Sequence, residues 1–455
     1  MEIVLEQKDA VDWSYKGEGA VNLVLAYTGS SPAFLGKVMR IQKMPKDGNE
    51  NSNDNNDTGL TSHEKLVWRE VEELVSCQDK EVAEHMYVKL VMSPLLGPKH
   101  VDAGTRLLVA REFLESVEEN VVSQRPSWRV DAAKVDTLRS SVLLMDDHTL
   151  FTCGSIKDET CISVEIKPKC GFLPDSSYIT EENAIKKTRT RFEMHQVLKR
   201  QGNEISEISQ YDPLDLFSGT KDRIHKAIRA LSGTPQNNFR VFLNGSLVFG
   251  NFDGGIGKTT VKVEHAFELL LKGIISAGDG LCADNFIQLV TDTIYTSGVL
   301  DQLLGAQKLD KFDIEGVIHA YYDITGQACT VCRGSDESKI SSQYSSMHSV
   351  PLDESLNIVK NYLIAATAKD CSLMISFRPT DAEHLGSSHS TLYLESTNQA
   401  FDYKVHFIDL DLKPLKKIED YYELDKKIVA RYLEIMKIRH EHGGDLSLDF
   451  CRTKR

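Results

Sequence analysis

The amino-acid sequence predicts an α+β protein of two lobes, a β-rich N-terminal lobe over residues 1–155 and a larger mixed α/β C-terminal lobe over residues 156–455. Predicted strands are frequent in the first part of the chain, whereas predicted helices and strands are mixed in the second. The chain has 455 residues, of which 41% are hydrophobic and 26% are charged, so it can bury a sizeable core.

The N-terminal lobe begins as a meander of strands. Residues 21–27 and 33–41 are predicted strands, and the turn sequence TGSSP joins them. Residues 46–60 form a polar low-complexity stretch, which we expect to be a disordered loop.

A helix is predicted over residues 61–77, TSHEKLVWREVEELVSC. Thr61 and Glu64 form a capping box at its start, and apolar residues then recur with helical spacing. The segments TRLLVAREFL (105–114) and SVLLMDD (141–147) predict two further strands.

The stretch CISVEIKPKCGFLP, residues 161–174, opens the second lobe. It begins as a strand with alternating apolar and polar residues, and alternation would place Glu165, Lys167 and Lys169 on one face. Pro168 stiffens the turn between the two lysines, so the sequence holds two cations rigidly beside an acid.

The rest of the second lobe alternates helices with strands. An Asn244-Gly245 turn predicts a hairpin within FRVFLNGSLVFG. The other predicted elements are helical segments near 181–200, 219–232 and 259–320, a helix from about Pro351 to Asp370, the strand CSLMISF, the strand YKVHFIDLDL, and a helix over about 415–440.

Composition excludes several classes of function. The net charge of −14 argues against general binding to nucleic acid or to an anionic membrane, although it permits a local basic pocket. The N-terminus does not resemble a signal peptide, and no apolar run is long enough to span a bilayer. Nine scattered cysteines suit a reducing compartment, the cytoplasm with the nucleus as a second location. We expect a monomer.

Two motifs in the first lobe suit a nucleotide. Gly17 and Gly19 lie in a turn where backbone N–H groups can approach phosphates, although such a turn is more often an ordinary hairpin. Period-2 alternation places Val38 and Arg40 on one strand face, as a kinase-like sheet needs for adenine and phosphate, and a solvated edge strand is the alternative.

Two other segments are weaker nucleotide signals. Asp147 and His148 follow a buried strand where a kinase-like fold has its adenine-reading hinge, and a surface turn is equally compatible. The sequence NFDGGIGKTT, residues 251–260, has Phe252 where a P-loop requires its first glycine, so we expect a flexible loop there.

A metal site is predicted in the second lobe by the spacing His-x9-Cys-x2-Cys-x15-His. Two cysteines in a tight turn and two flanking histidines can complete a tetrahedral zinc site without an open position, so this zinc would be structural. Accidental proximity of the cysteines is the alternative, and the choice of the outer histidines is less secure. The four residues are His319, Cys329, Cys332 and His348.

Two aspartates stand at positions where carboxylates can carry chemistry. Asp370 lies where a predicted helix meets a strand, and Asp409 lies in the apolar context HFIDLDLKP, with Asp411 and Lys413 expected on the same strand face. Each aspartate taken singly is more often a cap or turn residue.

Cations distributed along the chain suggest one site for a highly anionic substrate. Protein-kinase signatures, the His-Arg-Asp loop, Asp-Phe-Gly and Ala-Pro-Glu, are absent from the sequence. The cations are Arg129, Lys167, Lys169, Lys199, Lys413 and Lys417.

Seven segments, spread over nearly the whole chain, carry a family resemblance: GEGAVNLVLAY, LLGPKHVDAG, VEIKPKCGFLP, YDPLDLFSG, TPQNNFRVFLNG, LIAATAKDCSLMISF and FDYKVHFIDLDLKPLKKIEDYYELDKKI. In these segments the sequence resembles the inositol-pentakisphosphate 2-kinases, and is most similar to plant members. The resemblance implies ATP-dependent phosphorylation of the axial 2-hydroxyl of inositol 1,3,4,5,6-pentakisphosphate to give inositol hexakisphosphate (phytate). It also implies a two-lobed fold distantly like that of protein kinases, with Mg²⁺ and a structural zinc.

The resemblance implies a role for each matching position. Asp370 would be the base, Lys167 would bridge the ATP phosphates and the transferred group, and Asp409 would hold Mg²⁺. The remaining nucleotide-binding residues would be Gly17, Gly19, Ala20, Asn22, Val38, Arg40, Asp147, His148, Glu165, Asn238, Arg240 and Met374. The inositide clamp would be Arg129, Lys169, Lys199, Asn237, Lys413, Lys417 and Tyr421.

The sequence differs from the family pattern at two positions, and two other functions are alternatives. Ala20 replaces an expected third glycine, and Lys417 replaces an arginine, which exchanges a bidentate fork for a point charge. A broad inositol polyphosphate multikinase is one rival, but its Pro-x-x-x-Asp-x-Lys-x-Gly motif is absent. The other is a non-catalytic inositide-binding paralogue, against which the intact Asp370, Lys167 and Asp409 count.

Overall fold

A computed structural model describes residues 4–19, 21–46, 59–151, 160–250, 261–276, 280–333, 348–380 and 390–441. These residues form a mixed α/β protein with two β-sheets. Within these ranges, every helix is too short or too polar to cross a membrane. The predicted loop over 46–60 lies almost wholly outside the described residues, and Ala20 and the segment 251–260 lie entirely outside them.

The first sheet has the spatial order β1-β5-β7-β4-β3-β2, with β6 paired to β4. The pairing of β1 with β5 is parallel, and the remaining pairs are antiparallel. Its strands are β1 Val4–Leu5, β2 Trp13–Glu18, β3 Asn22–Tyr27, β4 Lys37–Pro45, β5 Thr105–Val109, β6 Ala133–Val135 and β7 Ser141–Asp146.

The second sheet is antiparallel throughout, with the order β10-β9-β8-β11-β13-β12. Strand β8 is buried along its whole length, since it lies between β9 and β11 inside the sheet. The strands are β8 Ile162–Ile166, β9 Phe239–Leu243, β10 Ser246–Phe249, β11 Ser372–Thr380, β12 Ser390–Leu394 and β13 Gln399–Ile408.

Helices surround both sheets. The α-helices are α1 Ser62–Val67, α2 Glu72–Val75, α3 Lys80–Tyr87, α4 Ser93–Leu96, α5 Arg111–Val121, α6 Ser127–Ala132, α7 Arg191–Gln201, α8 Pro213–Leu216, α9 Lys221–Gly233, α10 Val261–Leu271, α11 Cys282–Ser297, α12 Val299–Gln307, α13 Asp313–Thr325, α14 Thr330–Arg333, α15 Leu352–Asp370 and α16 Lys417–Glu441. Short segments of 3₁₀ or π geometry occupy Gln7–Asp12, Val88–Met92, Pro98–His100, Val122–Gln124 and Glu181–Lys187.

Two main hydrophobic cores follow from this arrangement. The smaller core packs α5 against the first sheet, and the larger one surrounds the second sheet. Trp68 and Tyr87 belong to the larger core, although they lie in the N-terminal part of the sequence. Helices α1–α4 are therefore held by the same core that supports the second sheet.

Several predicted elements are confirmed. Thr61 and Glu64 form the capping box of α1. The hairpin β9–β10 turns at Asn244 and Gly245, whose φ angles of 48° and 82° suit this Asn-Gly pair. Helix α15 ends at Asp370, and β11 begins two residues later.

Three predicted boundaries in the first part of the chain are wrong. The helix over 61–77 is broken into α1 and α2, and the break lets Trp68 bury its ring 5.3 Å from that of Tyr87. The strand over 33–41 starts only at Lys37, after a turn, and continues to Pro45. The strand over 105–114 stops at Val109, because the apolar residues that follow have the helical spacing that buries one face of α5.

Two predicted strand faces in the second part are also wrong. Lys169 has a φ of 60°, which ends the alternation that would have placed it on the face of Glu165. Asp409 has a φ of 62° and directly follows the end of β13, so Asp411 and Lys413 lie beyond the strand. A left-handed backbone is incompatible with a continuing strand.

Candidate functional site

A cavity of about 410 Å³ lies where the Lys167-Pro168-Lys169 turn faces α7, α13, α15 and α16. We call it the basic cavity. It brings together residues that are far apart in the sequence and that were predicted to bind substrate or to act in catalysis. The residues with these predicted roles that line it are Lys169, Lys199, Asn237, Asp370, Lys413 and Tyr421. Asn238, which was predicted to bind the nucleotide, also lines it.

The turn after β8 is held by side chains from distant elements. Tyr211 donates its hydroxyl hydrogen to the carbonyl oxygen of Pro168 at 2.7 Å. Buried Gln307 donates to the carbonyl oxygen of Lys169 at 2.8 Å and accepts from the N–H of Gly171 at 2.8 Å. These bonds hold Lys169 in a left-handed conformation that a lysine rarely adopts.

Gln307 also connects this turn to the helix that carries Asp370. Its amide nitrogen donates to the carbonyl oxygen of Ala368 at 3.1 Å, within the last turn of α15. Sequence reasoning missed Gln307, because a glutamine in an amphipathic helix has no local signal for such a role.

Asp370 stands in an unfavourable position for a carboxylate. It ends α15, where the helix dipole places negative charge, so its own charge is disfavoured there. Burial raises the pKa of Asp370, but Lys413, Lys169 and Lys167 together hold the pKa below its usual value. The closest of these is Lys413, whose Nζ lies 3.1 Å from the carboxylate. The group is therefore an ionised proton acceptor at neutral pH.

Several cationic side chains lie close together in the basic cavity. Burial and the neighbouring charge of Lys167 lower the pKa of Lys169 to about 8. Burial and three cations, led by Arg191, lower the pKa of His195 to about 3, so its imidazole is neutral. An anionic ligand in this cavity would offset the repulsion among these cations and favour the protonated form of Lys169.

The far wall of the cavity pairs cations with acids. Lys369 forms a salt bridge with Asp310 at 2.6 Å, and Arg191 forms one with Asp425 at 3.3 Å. Asp425 is shared with Lys186, which is buried and also contacts Asp313 and Glu315. The sequence analysis did not single out these residues, because their partners come from elements up to 239 residues away.

A second group of predicted residues surrounds Glu165. In the sheet register, Glu165 stands opposite Met374 on one side and Arg240 on the other. Arg240 donates to its carboxylate at 3.0 Å, and Ser372 donates at 2.8 Å. Although burial raises the pKa of Glu165, these cationic and hydrogen-bonded neighbours bring it below its usual value. The carboxylate is thus ionised and oriented.

Lys167 connects this group to the basic cavity. Its backbone N–H donates to the carbonyl oxygen of Asn238 at 2.9 Å, and its Nζ lies 3.7 Å from the carboxylate of Asp409. Burial lowers the pKa of Lys167, but Asp409, Glu165 and Asp370 outweigh burial and raise it. Lys167 therefore carries a stable positive charge between the two groups.

Arg40 links the first sheet to the segment after β13. Its guanidinium donates to Asp411 at 2.9 and 3.2 Å, and the pair lines a small cavity of about 70 Å³ together with Asn22 and Glu84. Burial and the charge of Asp411 raise the pKa of Glu84 to about 7. Val38 lies two residues before Arg40 in β4 and is buried.

The remaining nucleotide-loop and hinge candidates occupy the first sheet and its exit. Gly17 was predicted in a turn but lies within β2, where the register with β3 shifts. Gly19 lies between the two strands and donates its N–H to the carbonyl oxygen of Asn22 at 2.9 Å. The side chain of Asp147 pairs with Lys16 at 2.6 Å, and His148 stacks on His406 with ring centroids 4.0 Å apart.

Two predicted clamp residues do not line the basic cavity in the described part of the chain. Arg129 lies on α6, with its guanidinium 4.1 Å from the ring centre of Trp128. Lys417 pairs with Asp420 at 2.8 Å, but it is close enough to Tyr421 to affect the pKa of that phenol.

The predicted zinc ligands lie together. His319, Cys329, Cys332 and His348 present ligand atoms that all lie within 4.8 Å of one another. The Nδ1 of His319 lies 3.5 Å from each sulfur and 3.2 Å from the Nε2 of His348. Tetrahedral zinc with bonds of about 2.0–2.3 Å separates its ligands by roughly 3.3–3.8 Å, so this donor set fits zinc.

The comparisons with known proteins all give the same family description. A family model described as inositol-pentakisphosphate 2-kinase matches residues 15–427. The chain is 57% identical over 433 residues to an inositol-pentakisphosphate 2-kinase of Arabidopsis thaliana, covering 95% of each chain. It is 49% identical to one of Oryza sativa subsp. indica over 98% of each chain. It is 30% identical to one of Danio rerio over 94% of each chain.

Proposed function

The chain belongs to the inositol-pentakisphosphate 2-kinase family and is an enzyme of that class, and from this premise we propose how its site residues share the reaction. The reaction transfers the γ-phosphate of ATP to the 2-hydroxyl of inositol 1,3,4,5,6-pentakisphosphate and produces inositol hexakisphosphate. The observation that carries our assignment is a basic cavity with an ionised carboxylate, Asp370, among three lysines.

The basic cavity suits the inositide. Five phosphates carry about −8 to −10 charges at neutral pH, from the second phosphate pKa near 6. Lys169, Lys199 and Lys413 line the cavity together with the amide of Asn237 and the phenol of Tyr421. Arg129 and Lys417 lie outside its lining, so we propose that both move to the inositide when it binds.

Asp370 acts on the acceptor hydroxyl. Its carboxylate orients the 2-hydroxyl and accepts its proton late in transfer, which a lowered pKa permits at neutral pH. Lys413, at 3.1 Å, stabilises the ionised form and can neutralise a phosphate oxygen beside it. Positioning and charge neutralisation supply most of the rate enhancement in phosphoryl transfer.

The group around Glu165 suits the nucleotide. Glu165, Asn238, Arg240 and Met374 would contact the nucleoside, and the charged Lys167 would lie between the ATP phosphates and the acceptor. The carboxylate of Asp409 is the predicted Mg²⁺ ligand, 3.7 Å from Lys167. Mg²⁺ would neutralise charge on the β- and γ-phosphates.

On the first sheet, Gly17, Gly19 and Arg40 would contact the phosphates of ATP. Asn22 lines the small cavity beside Arg40, and Val38 would face the adenine. His148 and its neighbour Asp147 would form the hinge.

We propose that the two sheets belong to two lobes of a distantly protein-kinase-like fold, 1–155 and 156–455. The strands of the first sheet end at Asp146 and those of the second begin at Ile162, which supports this boundary. Helices α1–α4 would nonetheless move with the second lobe, because their buried residues belong to its core. We further propose a monomer that works in the cytoplasm, with the nucleus as a second location.

A structural zinc completes the proposal. His319, Cys329, Cys332 and His348 would fill all four positions of the metal, which leaves none for substrate. The zinc would tie α13 to the chain on either side of α14 and would take no part in phosphoryl transfer.

Anion-exchange separation of inositol phosphates tests the function. The chain incubated with Mg-ATP and inositol pentakisphosphate should yield inositol hexakisphosphate, and the Asp370→Asn variant should yield little. A chain that binds the pentakisphosphate but never phosphorylates it would refute the assignment and favour a non-catalytic binder.

A further inference from the structure

The first five residues of α16 include two of the proposed clamp residues, Lys417 and, one turn later, Tyr421. We propose that Glu419, between them, is a positioning residue that fixes the start of this helix so that both side chains can reach the inositide. The inference rests on the proposed function, and Glu419 itself does not line the cavity.

Glu419 is held by two tyrosines of α13. The hydroxyl of Tyr322 donates to Oε1 of Glu419 at 2.8 Å, and the hydroxyl of Tyr321 donates to Oε2 at 3.2 Å. Both tyrosines are 4% exposed, and their rings contact each other edge to face with their centroids 5.3 Å apart. Each carboxylate oxygen thus has its own donor, which fixes the direction of the side chain.

The hydrogen bonds that hold Glu419 extend to the turn that contains Cys329 and Cys332. Thr330 lies between Cys329 and Cys332, and its Oγ1 is 2.8 Å from the hydroxyl oxygen of Tyr322. The single hydroxyl hydrogen of Tyr322 is donated to the Glu419 carboxylate, so Thr330 must donate to the Tyr322 oxygen. A chain of hydrogen bonds therefore runs from the predicted zinc-binding turn to the start of α16.

Helical geometry places Glu419 on the opposite side of α16 from Lys417 and Tyr421. Lys417 and Tyr421 are four residues apart and share a face, whereas Glu419 is two residues from each, roughly 200° around the axis. Ile418 is fully buried, and the N–H of Leu415 donates to Glu64 at 3.0 Å. The turn is thus fixed from α1 as well as from α13.

Positioning matters at this turn because Lys417 has a competing partner. Its ammonium pairs with Asp420 at 2.8 Å and is about half exposed, so the helix must be held in register for the lysine to favour a phosphate. A misplacement of about 1 Å can cost up to a hundredfold in a site that depends on geometry. Loss of the hydrogen bonds to Glu419 should therefore weaken inositide binding and leave the nucleotide site unaffected.

Steady-state kinetics and calorimetry on the full chain test the role of Glu419. Glu419→Ala should raise the KM for inositol pentakisphosphate, and the Kd for inositol hexakisphosphate measured by calorimetry, by about tenfold. The KM for Mg-ATP and the zinc content should change by less than about twofold. Glu419→Gln, which keeps one acceptor oxygen, should recover part of the affinity.

Matched variants separate this role from a general effect on folding. Glu423→Gln, an exposed substitution one turn later on α16, should leave both KM values unchanged. The double variant Tyr321→Phe, Tyr322→Phe should reproduce the inositide-specific loss, and it serves if Glu419→Ala does not fold. An unchanged inositide KM in Glu419→Ala, or in the double tyrosine variant where Glu419→Ala does not fold, would overturn the inference alone if the parent chain is active. An inactive parent chain would instead overturn the proposed function.

Discussion

Replacing Asp370 with asparagine should reduce turnover while it improves substrate binding. The substitution preserves shape but removes the proton acceptor, and general-base catalysis contributes roughly a hundredfold to ten-thousandfold. We therefore expect kcat to fall by at least about a hundredfold. A residue with a purely structural role would not show this loss without a loss of affinity or stability.

The binding effect follows from charge. Asp370 is the carboxylate closest to Lys413 in the basic cavity, and it repels each phosphate of the inositide. At about 8 Å and an effective dielectric constant of about 20, one such repulsion is worth about 2 kcal/mol before screening by salt. Its removal also releases Lys413, so we expect the Kd for inositol pentakisphosphate to fall at least about threefold.

Single-turnover measurements of phosphate transfer, combined with calorimetry of inositide binding, test both effects. Because the pKa of Asp370 is below its usual value, the base stays ionised at neutral pH, so protonation of Asp370 should cause no fall in kcat of the unmodified chain between about pH 7 and pH 5.5. Near-normal kcat in Asp370→Asn would refute the reasoning, and direct proton loss to phosphate would then be the better mechanism.

Three other outcomes are expected. Lys169 has a pKa of about 8 and loses its charge as pH rises through that value, so kcat/KM for the inositide should fall above pH 8, and Lys169→Arg should abolish that fall. Metal analysis should find about one zinc per chain, and chelation or Cys329→Ala, compared with Cys77→Ser as a control, should lower the unfolding temperature. Gln307→Ala removes three hydrogen bonds to backbone groups, so urea titration should show about 2–4 kcal/mol less stability, and an unchanged midpoint would contradict its bracing role.

Local signals in the sequence were sufficient for many elements. The Asn244-Gly245 turn, the capping box at Thr61 and the end of α15 at Asp370 are each determined by a few adjacent residues. Where local signals conflicted, prediction failed. The helix α5 was missed because its first apolar residues, Phe113 and Leu114, follow β5 so closely that they were assigned to that strand.

The sequence by itself determined the family, the chemistry of the candidate residues and the spacing of the His/Cys cluster, because these depend on residue types at short separations. Only the tertiary structure decided which cations share a cavity. It placed Lys413 beside Asp370 and left Arg129 outside the cavity lining.

Supporting contacts were also decided by tertiary structure alone. Gln307 joins the turn at Lys169 to α15, and Glu419 joins α16 to α13, across 138 and up to 98 residues of sequence. No pattern within one helix reveals such partners, since a buried polar side chain is satisfied by whichever distant backbone or side-chain group the packing of the whole chain brings within hydrogen-bonding distance.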